Sequence, residues 1–124
     1  MKKVVIIDDS ATARMFTRRC LEMAGLDCES IKEFSSAKEA LPVLSDPDVD
    51  LMVVDLVMPE LSGKEFLRRR KTAGNTAPAV VVSSAVNATE EAELKELGAF
   101  LVLKKPLSPA LAAEALALLE GAHA

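Results

Sequence analysis

Five short apolar runs, each followed by a stretch of helix length, constrain this chain more than any other feature. The runs are Val4–Ile7, Glu29–Phe34, Leu51–Val54, Ala79–Val82 and Phe100–Leu103. Four of them are almost continuous in Val, Ile, Leu, Met, Ala and Phe, as strands covered on both faces must be, whereas Glu29–Phe34 is the least apolar. Parallel strands need long crossovers, and the intervening helices supply them on both faces of the sheet. The expected fold is α/β: a (βα)5 doubly wound parallel five-stranded sheet.

Helix boundaries fall in the gaps between the runs. Ser36-Ala37-Lys38-Glu39 and Ser62-Gly63-Lys64-Glu65 fit a capping box, and Ser108-Pro109 places Pro at a first helical position. Gly25 and Gly98 stand where helices should stop, and the run from Ala73 to Pro78 is a turn-rich connection. Met15, Phe16, Leu21 and Met23 read as the core stripe of the first helix. Arg68-Arg69-Arg70-Lys71 reads as a solvated helix end, where cations complement the macrodipole. The last helix is expected to end near Glu120, with His123 in a solvated tail.

Length and charge narrow the function classes. A chain of 124 residues, half of them hydrophobic, suits a single domain over residues 1–124. Net charge −4 and the absence of Tyr and Trp disfavour a nucleic-acid surface. No apolar run approaches the roughly 20 residues that span a bilayer. Met1-Lys2-Lys3 leads into a short run closed by two aspartates, unlike a secretory signal, so a cytoplasmic protein is expected. Cys20 and Cys28 match no zinc spacing and read as free thiols.

In a doubly wound sheet, chemistry gathers at the carboxyl ends of the strands. Here the first strand ends in Asp8-Asp9, the third in Asp55, the fourth in Ser83-Ser84, and the fifth in Lys105-Pro106. Singly, each has an ordinary explanation: Asp9 or Ser10 as a helix cap, Ser83 as a local hydroxyl, Lys105 as a surface amine. Asp55 is harder to explain that way, because apolar residues flank it on both sides and an unpaired carboxylate there is costly. Three carboxylates beside one lysine call for a raised pKa or a divalent cation, and hard oxygen ligands suit Mg²⁺. A carboxylate so placed, with a hydroxyl donor nearby, is equipped to attack a phosphoryl group.

Taken together, these pieces resemble the response-regulator receiver domain of two-component signalling. The resemblance rests on Val4-Val5-Ile6-Ile7-Asp8-Asp9-Ser10, on Asp50 to Pro59 with its Asp55-Leu56-Val57-Met58-Pro59 and the later Gly63, on the Ser83 strand end, and on Gly98-Ala99 with Lys105-Pro106. It covers nearly the whole chain. It implies a flavodoxin-like sheet of order 2-1-3-4-5, with Asp55 as the phosphoacceptor supplied by a sensor histidine kinase or histidine phosphotransfer protein. It further implies Mg²⁺ held by Asp8, Asp9, Asp55 and the Val57 carbonyl, with Ser83 or its neighbour Ser84 as the switch hydroxyl. Lys105 would pair with the phosphoryl group, and the Lys105-Pro106 bond would be cis.

The departures from the family pattern carry expectations of their own. Val102 stands where an aromatic switch residue is often found, so output would travel without a ring flip. Val57 and Ala85 offer no polar side chain to orient a water, so a long-lived phosphoryl group is expected. No DNA-binding or catalytic domain is expected after the last helix. Output would then be onward phosphotransfer or contact with a downstream protein through the fourth helix, fifth strand and fifth helix, with a homodimer as a further possibility. The almost wholly apolar last helix reads equally as a partner surface and as a harmless alanine-covered face. A phosphatase of the haloacid-dehalogenase type is disfavoured, since Ser10 stands where a second acid is required and no cap domain fits. A receiver-like binding module independent of phosphorylation is the alternative reading.

Overall fold

Three of the four most apolar runs become the interior of the sheet, and the fourth, Phe100–Leu103, becomes the edge opposite the least apolar one. In the computed structural model, which describes residues 1–123, the strands are β1 (Lys3–Ile7), β2 (Ser30–Phe34), β3 (Val49–Asp55), β4 (Ala79–Ser83) and β5 (Leu101–Lys104). All neighbours are parallel and the order is β2-β1-β3-β4-β5. β1, β3 and β4 are central; β2 lies at an edge with most of its residues exposed, which is why its sequence looks least like a buried strand.

The helices are α1 (Ala11–Met23), α2 (Ala37–Ala40), α3 (Gly63–Thr72), α4 (Ala88–Glu96) and α5 (Pro109–His123). α2 passes directly into a 3₁₀ turn, Leu41–Ser45, where Pro42 has no N–H to continue an α-helical ladder. Ser10, Ser36, Ser62 and Asn87 each accept a bond from the backbone N–H three residues on, at the starts of α1 to α4. Ser108 does the same for the N–H of Leu111 at 3.1 Å. After α1 and α4 the chain turns at Gly25 and Gly98, whose φ values of 92° and 97° suit glycine. α5 runs past the expected end at Glu120, while the side chain of His123 lies outside the described residues.

Strand residues alternate between two cores, as a two-residue period requires. Val5, Ile7, Met52, Val54 and Val81 face α2, α3 and α4, meeting Ala37, Phe66, Leu67 and Leu94. Val4, Ile6, Leu51, Val53 and Val80 face α1 and α5, meeting Cys20, Leu21, Ala112 and Leu119. Burying each large aliphatic or aromatic side chain contributes about 1.5–3 kcal/mol.

Two helix readings are corrected. Only Leu21 of the expected α1 stripe is buried; Met15, Phe16 and Met23 are exposed. The stripe that faces the sheet runs through Thr17, Cys20, Leu21 and Ala24, and at 100° per residue Met15, Phe16 and Met23 fall well outside it. Arg70 is likewise not a solvated helix end. It sits three and four residues beyond Leu67 and Phe66, on the buried face of α3, and its Nη2 and Nε donate to the Ala77 carbonyl at 2.6 and 3.1 Å. The outward face of α5 carries Ala110, Ala113, Ala117 and Ala122 together with Glu114 and Glu120, and Leu118 is exposed among them.

Candidate functional site

Asp8 follows β1 directly, and every polar group it carries is engaged. Its N–H donates to the Phe34 carbonyl at 3.1 Å, prolonging the β1–β2 ladder. Its Oδ1 accepts from the Ser10 N–H at 2.9 Å, a turn that delivers the chain into the α1 cap. Its Oδ2 lies 2.8 Å from Lys105 Nζ, and its carbonyl accepts from Arg14 Nη1 at 2.6 Å. Asp9, the next residue, is exposed.

Asp55 ends β3 opposite Val82 of β4 and is only 8% exposed. The same Lys105 Nζ reaches Asp55 Oδ1 at 3.2 Å, so one ammonium bridges the acids of two strands. Carboxylate oxygens of Asp8, Asp9 and Asp55 all lie within 4.8 Å of one another. Two unit charges about 5 Å apart repel by roughly 3 kcal/mol at an effective dielectric near 20, and a single lysine does not offset three such pairs.

The titration behaviour follows. Burial, then the Asp8 charge, and more weakly Asp9, push the Asp55 carboxyl above its ordinary range, with Lys105 opposing them only in part. Burial pulls the Lys105 ammonium down, but its bond to Asp8 and the charges of Asp8 and Asp55 outweigh that and raise it.

Ser83 ends β4, is 2% exposed, and its carbonyl accepts from the Lys105 N–H at 2.8 Å, tying the two strand ends together. Its hydroxyl lies 3.5 Å from both the N–H and the carbonyl of Ala85, too far to hold it firmly. Ser84 is exposed. The Lys105–Pro106 peptide is cis, as expected. Val57 stands in the loop after β3 and is 73% exposed, and Ala85 is exposed as well. Val102 lies beside Ser83, Val86, Asn87 and Lys104 in a cleft of about 520 Å³ between α4 and β5.

The structure thus brings Asp8, Asp9, Asp55 and Lys105 together, with Ser83 at the adjoining strand end. Three carboxylates and no His or Cys make a hard-oxygen donor set that fits Mg²⁺ better than a softer metal. Two features escaped the sequence reading. One is Arg14, whose signal was a cation near the N-terminus of α1, where the helix dipole disfavours one. The other is the closeness of Gly63 to Asp55: a Cβ on Gly63 would stand 2.3 Å from the Asp55 carbonyl oxygen.

Comparison with known proteins bears on the fold and the family. Residues 4–117 match the response regulator receiver domain. The chain is 36% identical over 110 residues to protein-glutamate methylesterase/protein-glutamine glutaminase 2 of Burkholderia thailandensis, an alignment covering 86% of this chain and 30% of that protein. It is 32% identical over 110 residues to the phosphate regulon transcriptional regulatory protein PhoB of Pseudomonas aeruginosa, covering 87% of this chain and 47% of the relative. The chain therefore spans less than half the length of these curated relatives. Among solved structures it is similar to the chemotaxis protein CheY4 of Vibrio cholerae, with TM-score 0.80, 25% identity and coverage of 96% and 98% of the two chains. A Francisella response regulator receiver domain has the same fold, with TM-score 0.84, 23% identity and both chains covered completely. Among the described residues, no helix is long and apolar enough to cross a membrane. The chain belongs to the response regulator receiver domain family of two-component signalling.

Proposed function

We infer that this receiver accepts a phosphoryl group on Asp55 from a sensor histidine kinase or a histidine phosphotransfer protein, in a Mg²⁺-dependent reaction. The observation that carries this reading is the Lys105 ammonium lying between Asp8 and Asp55, with Asp9 close to both carboxylates. Asp8, Asp9, Asp55 and the Val57 carbonyl would hold the metal. When bound, Mg²⁺ neutralises the crowded carboxylates and the phosphoryl oxygens.

In the transfer, an Asp55 carboxylate oxygen attacks phosphorus. The O–P bond forms as the N–P bond of the phosphohistidine breaks, and the imidazole nitrogen leaves with the electron pair. Lys105 stays protonated, exchanges its Asp55 contact for a phosphoryl oxygen, and stabilises the charge there. Ser83, whose hydroxyl has only distant partners, turns to donate to another phosphoryl oxygen. That movement draws on the segment leading into α4 and on β5, beside Val102, so a downstream protein would read α4, β5 and α5. The chain catalyses only its own phosphorylation and dephosphorylation.

The test is intact-mass measurement after incubation with acetyl phosphate or phosphoramidate, for wild type and Asp55→Asn, with and without EDTA. One phosphoryl adduct that requires both Mg²⁺ and Asp55 is expected. No adduct on folded protein, with beryllofluoride also failing to bind, would overturn the reading in favour of a phosphorylation-independent binding module.

A further inference from the structure

Of the four polar groups of Asp8, three are satisfied by its own strand neighbour, its own turn and Lys105. The fourth, its carbonyl, is held by a side chain from a helix. Arg14 Nη1 donates to it at 2.6 Å, and Arg14 Nε lies 3.5 Å from Glu33 Oε1 on β2. The Arg14 side chain is only 17% exposed, while Glu33, on the edge strand, remains open to solvent along one side. Glu33 also pairs with Arg18 at 3.1 Å, so its carboxylate faces two guanidiniums.

The carbonyl of Asp8 belongs to the same rigid peptide plane as the N–H of Asp9. Fixing that oxygen fixes the plane, and the plane sets the direction in which Asp9 leaves the backbone. Asp9 is exposed, unlike Asp8 and Asp55. Its carboxylate therefore depends on the backbone for its place in the cluster. A planar guanidinium can grip a carbonyl with one nitrogen while another faces a carboxylate; an ammonium is a point charge and cannot reproduce that fork.

We propose that Arg14, oriented by Glu33, is a positioning residue that aims the Asp8–Asp9 peptide so that Asp9 completes the three-carboxylate site for a divalent cation. The inference rests on the phosphoacceptor reading for its biological consequence, but not for its binding measurement. Groups one step removed from metal ligands commonly alter metal affinity by about 10-fold or more when removed.

The experiment is a thermal-shift titration with Mg²⁺ for wild type, Arg14→Met, Arg14→Lys and Glu33→Gln, each referenced to its own melting temperature in EDTA. Adduct formation from acetyl phosphate is followed over the same Mg²⁺ range. Arg14→Met is expected to need about 10-fold more Mg²⁺ for half-maximal shift, with the adduct rate returning to near the wild-type value at saturating Mg²⁺. Arg14→Lys and Glu33→Gln are expected to fall between. An unchanged half-saturation in Arg14→Lys and Glu33→Gln overturns the proposal even if Arg14→Met does not fold. A lower melting temperature in EDTA with unchanged half-saturation assigns Arg14 a merely structural role and also overturns it. Failure of the wild type itself to form an adduct, with the Mg²⁺ shift intact, would count against the phosphoacceptor reading and leave the positioning role standing.

Discussion

Lys105 Nζ stands 2.8 Å from Asp8 and 3.2 Å from Asp55, an ammonium placed between two carboxylates that are both almost fully buried. Removing it leaves those charges facing each other. Lys105→Met is therefore expected to destabilise the protein in EDTA by about 2 kcal/mol, below the usual figure for breaking a buried pair because Lys105 retains some solvent contact. Mg²⁺ should recover most of the loss. Urea unfolding with and without Mg²⁺ checks this, and an equal destabilisation in both conditions would contradict it.

Asp55 itself should be a stability cost when ionised without metal. Its carboxyl is raised by burial and by its acidic neighbours. Between its unfolded pKa, about 3.9, and its higher folded value, the native state holds more protons than the unfolded one. Stability therefore falls as pH rises through that window, and the cost is complete above the folded pKa. Asp55→Asn is expected to melt higher than wild type at pH 7 in EDTA, with the advantage vanishing below about pH 4. Melting temperatures of the two proteins across that range provide the check.

How much of this was legible in the sequence depended on which residues answer to local rules. The interior strands β1, β3 and β4 announced themselves because burial on both faces demands unbroken apolar runs. Ser36 and Ser62 were legible as caps because their effect is confined to one helical turn. Asp8, Asp9, Asp55 and Lys105 could be picked out because each ends a strand, and one ledge collects all strand ends. Met15 and Phe16 misled because a helix stripe is set by what faces the sheet, and Thr17 and Cys20 took that place. Arg14 stayed hidden, and Gly63 was legible as part of a motif but not for its place against Asp55, because both roles lie in contacts with backbone oxygens of Asp8 and Asp55, which no spacing of side chains reveals.

Gly63 opens α3 with its N–H on the Leu56 carbonyl at 2.9 Å, closing the loop after Asp55. A Cβ there would stand 2.3 Å from the Asp55 carbonyl oxygen and 2.9 Å from Leu56 Cα, and both obstacles are backbone. Gly63→Ala must therefore move the end of β3 or the start of α3, at a cost of about 1–3 kcal/mol. The shift falls on the residue proposed to carry the phosphoryl group. Chemical denaturation should show the stability loss, and acetyl phosphate should label the variant more slowly than wild type even where it is fully folded. Labelling at the wild-type rate would show that Asp55 tolerates the displacement.

The exposed side chains of Val57 and Ala85 flank the loops on either side of the site. Neither can hydrogen-bond a water, and attack on an acyl phosphate requires a water held in line with the phosphorus. The phosphoryl group on Asp55 should accordingly outlast one in a protein with polar side chains at these positions. Val57→Asn combined with Ala85→Glu is expected to speed loss of the phosphoryl group by about 10-fold or more, the scale of a positioned polar group acting on a water. Intact mass followed over time, after the phosphodonor is removed, measures the rate. Equal decay in the two proteins would mean that access of water to the phosphorus, and not its orientation, sets the lifetime.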